Sequence, residues 1–284
     1  MNMKKLFAVL MLAALACGLL AGCGGGQKPA EKKNEAKPIV LGLDDNFPPM
    51  GFVDENNKIV GFDIDLATEA AKRLNTKVDF KPIDWASTEA ELKSGRVDML
   101  WNGLDITEKR KENILFSDPY MNNRFIIFCA AGKTGGITGE ASLAGKTGGI
   151  TGEASLAGKI VATQSGGGTI EDYLDGKPEL TGTFKEFKKY QDYLSAFMDL
   201  ENGRIDAVVC DEIIGRYYIS KHPNKIEAVD VTVGPSAQFG VGFRKDDKEL
   251  RDKVQKVLDE MRKDGTMAKI SQKWFAADIT KISK

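Results

Sequence analysis

The chain has 284 residues, a formal net charge of −1 and four cysteines. Its charge is nearly balanced and no basic stretch is long, which excludes a nucleic-acid-binding surface. His222 is the one histidine, so the sequence offers no zinc site. Cys129 and Cys210 lie in apolar runs, which favours buried thiols over a disulfide or metal pair.

The first residues are predicted to be a targeting segment and not part of the fold. Lys4 and Lys5 precede an apolar run at 6–22, which has the size of a signal-peptide core and its cleavage site. The run ends in LAGC at 20–23, which resembles the lipobox of bacterial lipoproteins. Residues 1–22 are therefore expected to be removed and Cys23 to carry a lipid such as palmitate. An ordinary signal peptide is the alternative.

Residues 23–37 are rich in Gly, Lys, Glu, Ala and Pro, and predict a flexible tether. Removal of 1–22 takes away two Lys and no acidic residue, so the net charge changes from −1 to −3. No later segment approaches a transmembrane length. We expect a protein outside the cytoplasm, anchored to the cell membrane through Cys23.

After the tether, segments with strand-like and helix-like patterns alternate. This alternation predicts an α/β architecture with largely parallel sheets, and about 245 residues suffice for one large domain or two lobes. The predicted strands are 39–42, 77–83, 97–101, 159–163, 184–187 and 206–210. The predicted helices are 62–74, 87–94, 169–174, 190–200, 211–220 and 248–275, the last with a break at Gly265.

Residues 132–157 contain a tandem duplication. The thirteen residues GKTGGITGEASLA occur at 132–144 and again at 145–157. A Gly-rich segment between two strands is typical of a surface loop, and we expect the duplication to have no function of its own. The two GKT triplets lack the upstream Gly of a phosphate-binding loop, so nucleotide binding is not predicted.

Three stretches that follow strands or begin helices carry groups suited to a free amino acid. A carboxylate favours a guanidinium and backbone N–H groups, and an ammonium favours carboxylates and carbonyls. The stretches are 43–52 (LDDNFPPMGF), 101–110 (WNGLDITEKR) and 164–169 (QSGGGT). Taken singly, each also fits a bland interpretation: ordinary turn chemistry, a solvated helix charge and a flexible Gly turn.

Together with GFDIDL at 61–66, FSDPY at 116–120, GRIDA at 203–207 and WF at 274–275, these stretches resemble solute-binding family 3 of bacterial ABC importers. The resemblance covers the chain from about Pro38 to the end. It implies two α/β lobes of the type II periplasmic-binding-protein fold, with a discontinuous first lobe (38–128 and 230–284) and a second lobe at 129–229. Two hinge strands are expected near 125–130 and 226–231.

The resemblance also implies roles for individual residues. Arg110 matches the arginine that binds the ligand's α-carboxylate, with amides near Gly168 and Thr169. Asp211 matches the aspartate that binds the ligand's α-ammonium, and Gly103 offers a backbone carbonyl to the same ammonium. Phe47 and Trp85 match aromatic residues on either side of the ligand's side chain, and Asp44 matches a position near the end of that side chain. Asn102 and Asp105 complete the predicted ligand-binding residues.

This chain departs from the family at two site positions. Asp105 stands where Ser or Thr is common, and Gly167 and Gly168 stand where hydroxyls are usual. A second carboxylate either strengthens ammonium binding or repels the ligand's carboxylate. Since Asp44, Asp105 and Asp211 would make the cleft acidic, a neutral or cationic polar amino acid is favoured. The duplication, close to the first hinge, is a third departure that would affect closure only.

The expected mechanism is closure of the two lobes over the ligand, followed by recognition of the closed form by ABC permease subunits. The protein is expected to be a monomer without cofactor, metal or catalytic activity. A small dehydratase-like enzyme on the same scaffold, with Asp105 as its acid, is one alternative. A sensory ligand-binding module is the other.

Overall fold

The computed structural model describes residues 37–134, 152–166 and 168–282. The predicted signal segment and Cys23 lie outside these ranges, as do the tether before residue 37 and residues 135–151 of the duplication. None of the helices in the described ranges has the length and hydropathy that a membrane crossing requires.

The strands of the described ranges are short and alternate with helices. In chain order they are β1 (Ile39–Leu43), β2 (Asn46–Phe47), β3 (Gly51–Val53), β4 (Ile59–Val60), β5 (Val78–Pro82), β6 (Met99–Leu100), β7 (Ile114–Phe116), β8 (Met121–Asn123), β9 (Phe125–Ala130), β10 (Ile160–Gln164), β11 (Glu186–Tyr190), β12 (Ala207–Asp211), β13 (Ile226–Thr232), β14 (Ala237–Phe239) and β15 (Gly242–Arg244). The helices are α1 (Phe62–Arg73), α2 (Thr88–Lys93), α3 (Glu108–Asn113), α4 (Thr169–Asp175), α5 (Pro178–Thr181), α6 (Tyr193–Glu201), α7 (Glu212–Lys221), α8 (Lys248–Lys263) and α9 (Thr266–Phe275).

The first lobe is built on a sheet of order β5-β1-β6-β15-β7. β1 pairs in parallel with both β5 and β6, and β15 pairs antiparallel with β6 and β7. The apolar run of β1 explains its interior position, since Leu41 and Leu43 are completely buried. Because β15 comes from the end of the chain, the first lobe is discontinuous, as predicted.

The second lobe is built on a sheet of order β11-β10-β12-β9-β13. β10 is parallel to β11 and β12, whereas β9 is antiparallel to β12 and β13. The largely parallel α/β architecture is therefore confirmed in both lobes.

The two lobes are connected through the antiparallel pair β8–β14. The segments 125–130 and 226–231, where we expected the crossings, instead form β9 and most of β13 inside the second sheet. The apolar run of β9 is buried on both faces of that sheet, which an exposed hinge does not require, and β13 pairs with β9 at the sheet edge. The connecting strands thus lie just before and just after the predicted ones.

The helix boundaries follow local capping chemistry. α6 begins three residues later than predicted because the carboxylate of Asp192 accepts the backbone N–H of Ser195 at 2.7 Å and caps it, while Tyr190 ends β11. The predicted break in the last helix is confirmed at Gly265, whose φ of 80° separates α8 from α9.

Aromatic rings fill the second lobe between its sheet and helices α6 and α7. Phe197 stacks on Tyr218 at a ring-centroid distance of 4.6 Å and meets Phe128 edge-on at 5.7 Å. Phe128 leaves no room for a side chain on α7, since a Cβ at Gly215 would lie 2.1 Å from its ring. This packing holds α7 against β9, which pairs with β12, the strand that ends at Asp211.

Candidate functional site

The predicted binding residues lie where strand ends of the two lobes meet. Asp44 follows β1, and Asn102, Gly103 and Asp105 follow β6, all in the first lobe. Asp211 ends β12 in the second lobe. Parallel α/β sheets place ligands at the carboxyl ends of their strands, which is the edge these residues occupy.

Arg110 is the cation of this region. It lies on α3, whose first turn is capped by Thr107, and its side chain is buried. The guanidinium donates from Nη2 to the carbonyl of Gly166 in the second lobe at 2.7 Å, and from Nη1 to the carbonyl of Asp105 at 3.2 Å. Burial lowers the pKa of Arg110, and the charge of Asp105 opposes that effect. The residue stays a cation and links the two lobes.

Asp105 brings a buried carboxyl group into the region of this guanidinium. Its Oδ2 accepts the backbone N–H of Thr169 at 3.1 Å. Gly168 lies against the same groups, since a Cβ on it would be 2.6 Å from Arg110 Nη1 and 3.2 Å from Asp105 Oδ2. Burial raises the pKa of Asp105 to about 6, and the charge of Arg110 opposes the rise.

Asp211 is a second buried carboxylate near Asp105. Its Oδ1 accepts from Nδ2 of Asn123 at 2.5 Å, and the same Nδ2 lies 3.5 Å from Asp105 Oδ1. Burial, and then the charge of Asp105, raise the pKa of Asp211 well above its usual value. Asn123, on the connecting strand β8, thus separates two carboxylates that would otherwise repel each other.

Asp44 forms a separate contact between the lobes. Its Oδ2 accepts from Nε2 of Gln164 at 2.6 Å, and its Oδ1 accepts from the backbone of Asn46 at 2.9 Å. Asn102 supports the same turn through a bond from Nδ2 to the Asp44 carbonyl at 2.7 Å. Burial raises the pKa of Asp44 to about 6, against the effect of these two bonds to its carboxylate.

Gly103 is fixed by a buried acid below the site. Its N–H donates to Asp63 Oδ2 at 2.8 Å, and the same oxygen accepts from the Tyr120 hydroxyl at 2.8 Å. Gly103 has a φ of +61°, and a Cβ on it would lie 2.7 Å from the ring of Phe47. The position therefore requires glycine both for its conformation and for the approach of the aromatic ring.

The two predicted aromatic walls lie in different packing environments. Phe47 is buried, and its ring contacts Tyr193 of the second lobe at a centroid distance of 6.1 Å. Trp85 is buried in a cluster with residues such as Leu92, apart from the cluster of Phe47. The backbone of Trp85 lies against Gly166 of the second lobe, where an added Cβ would be 3.1 Å from the Trp85 carbonyl carbon.

Four residues outside the predicted set also organise this region: Asn123, Gln164, Asp63 and Tyr193. Asn123 and Gln164 join predicted residues through hydrogen bonds, Asp63 orients Gly103, and Tyr193 meets Phe47. Two of them stood inside motifs that were recognised, GFDIDL and QSGGGT. Nothing in the local sequence marked Asn123 or Tyr193.

A separate groove of about 1330 Å³ opens elsewhere on the protein, and none of the predicted binding residues lines it. Residues such as Tyr217 and Trp274 line this groove, and so does Asn123, which also bonds Asp211 in the candidate site. No group of three or more potential metal ligands occurs in the ranges that the structure describes. Cys129 and Cys210 are both free and buried, which confirms the interpretation as packed thiols.

Comparison with known proteins identifies the family. The sequence profile of the bacterial extracellular solute-binding proteins, family 3, matches residues 39–277. The L-cystine-binding protein TcyJ of Escherichia coli K12 is 30% identical over 272 residues, which cover 96% of this chain and 95% of that protein.

Solved structures agree with this match. An ABC uptake transporter substrate-binding protein from Streptococcus pneumoniae with bound histidine superimposes with a TM-score of 0.76 at 33% identity, covering 86% of this chain and 95% of the other. An ancestral arginine-binding protein bound to arginine gives 0.73 at 37% identity, covering 84% and 98%. The chain belongs to the bacterial extracellular solute-binding proteins, family 3.

Proposed function

We propose that this protein binds a free amino acid between its two lobes and delivers it to an ABC importer. The observation that carries the proposal is that a cation, Arg110, and a carboxyl group, Asp211, are both buried in the region where the lobes meet. Buried charges are costly unless they are paired, and a zwitterionic amino acid supplies a partner for each of them. Binding of cystine, histidine and arginine by relatives supports the same class of ligand.

In this proposal the α-carboxylate of the ligand binds the Arg110 guanidinium and the N–H of Thr169. The α-ammonium binds Asp211, with the Gly103 carbonyl beside it. The ligand's side chain extends toward Asp44, between Phe47 and the Trp85 region. Carboxylates outnumber Arg110 in this set, which favours a neutral or cationic polar side chain over an acidic one.

The mechanism we infer is closure of the lobes about the pair β8–β14. Arg110–Gly166 and Asp44–Gln164 are contacts that form only when the lobes are together, since each joins residues of different lobes. A ligand that contacts both lobes favours the closed form by the difference in its affinity for the two states. The permease subunits would recognise that closed form, presented by a monomer.

We also propose that the protein acts outside the cytoplasm, anchored through a lipid on Cys23. The sequence LAGC at 20–23 and the polar tether that follows support the proposal. Metabolic labelling with a palmitate analogue tests it: the wild-type protein should incorporate the label and Cys23→Ser should not. Equal labelling of both would contradict it.

Binding without turnover is the activity we infer, because the characterised relatives above are binding proteins. The decisive screen is a thermal-shift assay of residues 38–284 against the twenty amino acids, ornithine, citrulline and cystine. A ligand at 100 times its Kd adds about 2.7 kcal/mol to the free energy of unfolding. One or a few compounds should shift the melting temperature of the wild type but not of Asp211→Asn. Turnover of prephenate- or arogenate-like compounds without any shift would favour the enzyme instead.

A further inference from the structure

Asp105 connects the lobes through groups that a ligand's carboxylate would use. Its carboxylate belongs to the first lobe, and its Oδ2 accepts the N–H of Thr169 in the second lobe at 3.1 Å. The same oxygen is near Gly168, whose Cβ position would be 3.2 Å from it. The guanidinium of Arg110 is held by the carbonyl of this very residue at 3.2 Å. Asp105 therefore presents its carboxylate to the Thr169 N–H and its backbone carbonyl to Arg110.

These donors are limited in number. A backbone N–H makes one hydrogen bond, and the guanidinium of Arg110 already gives two nitrogens to the carbonyls of Gly166 and Asp105. A ligand whose carboxylate is to bind both Arg110 and Thr169 must first displace the Asp105 carboxylate from the Thr169 N–H. Breaking that contact costs more in a buried site than at a surface, because the displaced charge loses its partners.

We propose that Asp105 is an internal competitor of the ligand: its carboxylate occupies the place of the amino acid's α-carboxylate, holds the lobes together in the free protein and lowers the affinity for amino acids. The proposal rests on the function proposed above. It assigns to Asp105 a role in setting affinity that differs from a contact with the ligand's ammonium. Its second oxygen is 3.5 Å from Asn123, so the tighter contact is the one to Thr169.

The sign of the affinity change separates the two roles. Asp105→Asn keeps the shape of the side chain and removes its charge, and Asp105→Ser removes the carboxylate altogether. A competitor predicts that both variants bind the amino acid at least tenfold more tightly in isothermal titration calorimetry. A direct contact with the ammonium predicts weaker binding, and that result, or an unchanged Kd in both variants, would overturn the proposal.

A ligand derivative sharpens this test. The decarboxylated amine of the same amino acid has no oxygen to accept hydrogen bonds from Arg110 and Thr169, so it does not compete with Asp105 for them. The gain in affinity should therefore be confined to the free amino acid, and an equal gain for the amine would contradict the proposal.

A matched control removes another contact between the lobes. Lys109 Nζ and Asp172 Oδ1 form an exposed ion pair of 2.7 Å between α3 and α4. Asp172→Asn removes a carboxylate that joins the lobes but faces solvent. Because this ion pair is exposed and only joins the lobes, its loss in Asp172→Asn should weaken ligand binding by less than about fivefold. Tighter binding by this variant would show that any loosened contact has the same effect, and would overturn the specific role of Asp105.

Small-angle scattering of the proteins without added amino acid gives a result that does not depend on the proposed function. Asp105→Asn should have a larger radius of gyration than the wild type, because the free lobes separate more readily. Identical scattering of the two proteins would overturn the inference even if no amino acid binds either of them. Failure of every amino acid to bind, with a clear difference in scattering, would instead overturn the proposed function alone.

Discussion

Replacement of Asp63 by Asn should make the protein's stability less dependent on pH. Asp63 is completely buried at the start of α1, and burial raises the pKa of its carboxyl from 3.8 to about 7. The hydrogen bonds from Tyr120 and Gly103 oppose that rise but do not cancel it. The folded protein therefore favours the protonated acid, whereas the unfolded chain ionises at its ordinary pKa.

The sign and size of the effect follow from linkage. Because the folded pKa is the higher one, the contribution of Asp63 is fully present below pH 3.8 and is lost as the pH rises through 7. This pKa difference between the folded and unfolded states changes the free energy of unfolding by about 4 kcal/mol in total. About 2 to 3 kcal/mol of that change falls between pH 5 and pH 8. An Asn at this position has no proton to release, and its amide oxygen still accepts from Gly103 and Tyr120.

Urea unfolding at pH 5, 6, 7 and 8 measures this directly. The free energy of unfolding of the wild type should fall relative to Asp63→Asn by about 2 to 3 kcal/mol over that range. Asp65→Asn, on the partly exposed side of the same helix, is the matched control. Parallel pH profiles for the wild type and Asp63→Asn would refute the reasoning, as would an equal divergence for the Asp65 variant.

Two further predictions concern buried thiols and a glycine. Cys129 and Cys210 are buried, and burial raises the pKa of Cys129 to about 12 and the pKa of Cys210 well above its usual value. A thiol reagent should therefore modify neither residue until urea unfolds the protein. Rapid modification at low urea would contradict the packing. Gly168→Ala should weaken ligand binding about tenfold, since it strains a φ of +72° and places a Cβ 2.6 Å from Arg110. Gly95→Ala has the same φ with no neighbour within 4 Å, and should lower stability without changing the Kd.

Elements with strong local signals could be predicted from the sequence. Gly265 signals the break in the last helix because glycine readily adopts the left-handed conformation found there. The apolar run of β1 signals an interior strand. The start of α6 was misplaced because Tyr190 continues an apolar pattern, while the deciding signal is the capping side chain of Asp192 two residues later. The connecting strands were misplaced because apolar patterning does not reveal which sheet a strand joins.

The candidate site shows a similar division. The resemblance to the family implies the roles of Arg110 and Asp211, and the fold buries both side chains in the region between the lobes. Asn123 carries no local signal, and the QSGGGT motif does not indicate what Gln164 binds, because their partners lie 88 and 120 residues away. The neighbour of Phe47 across the lobes is Tyr193, a contact that depends on lobe closure and that sequence patterning does not encode.

The measurement that tests the central claim most directly is isothermal titration calorimetry of the wild type, Arg110→Ala and Lys111→Ala with the amino acid that gives the largest thermal shift. Lys111 is an exposed cation on the same helix, paired with Glu108, and serves as the control. Removing one partner of a buried charge pair costs about 2 to 5 kcal/mol, so Arg110→Ala should lose at least about thirtyfold in affinity while Lys111→Ala binds as the wild type does. Equal binding by Arg110→Ala and the wild type would contradict the account.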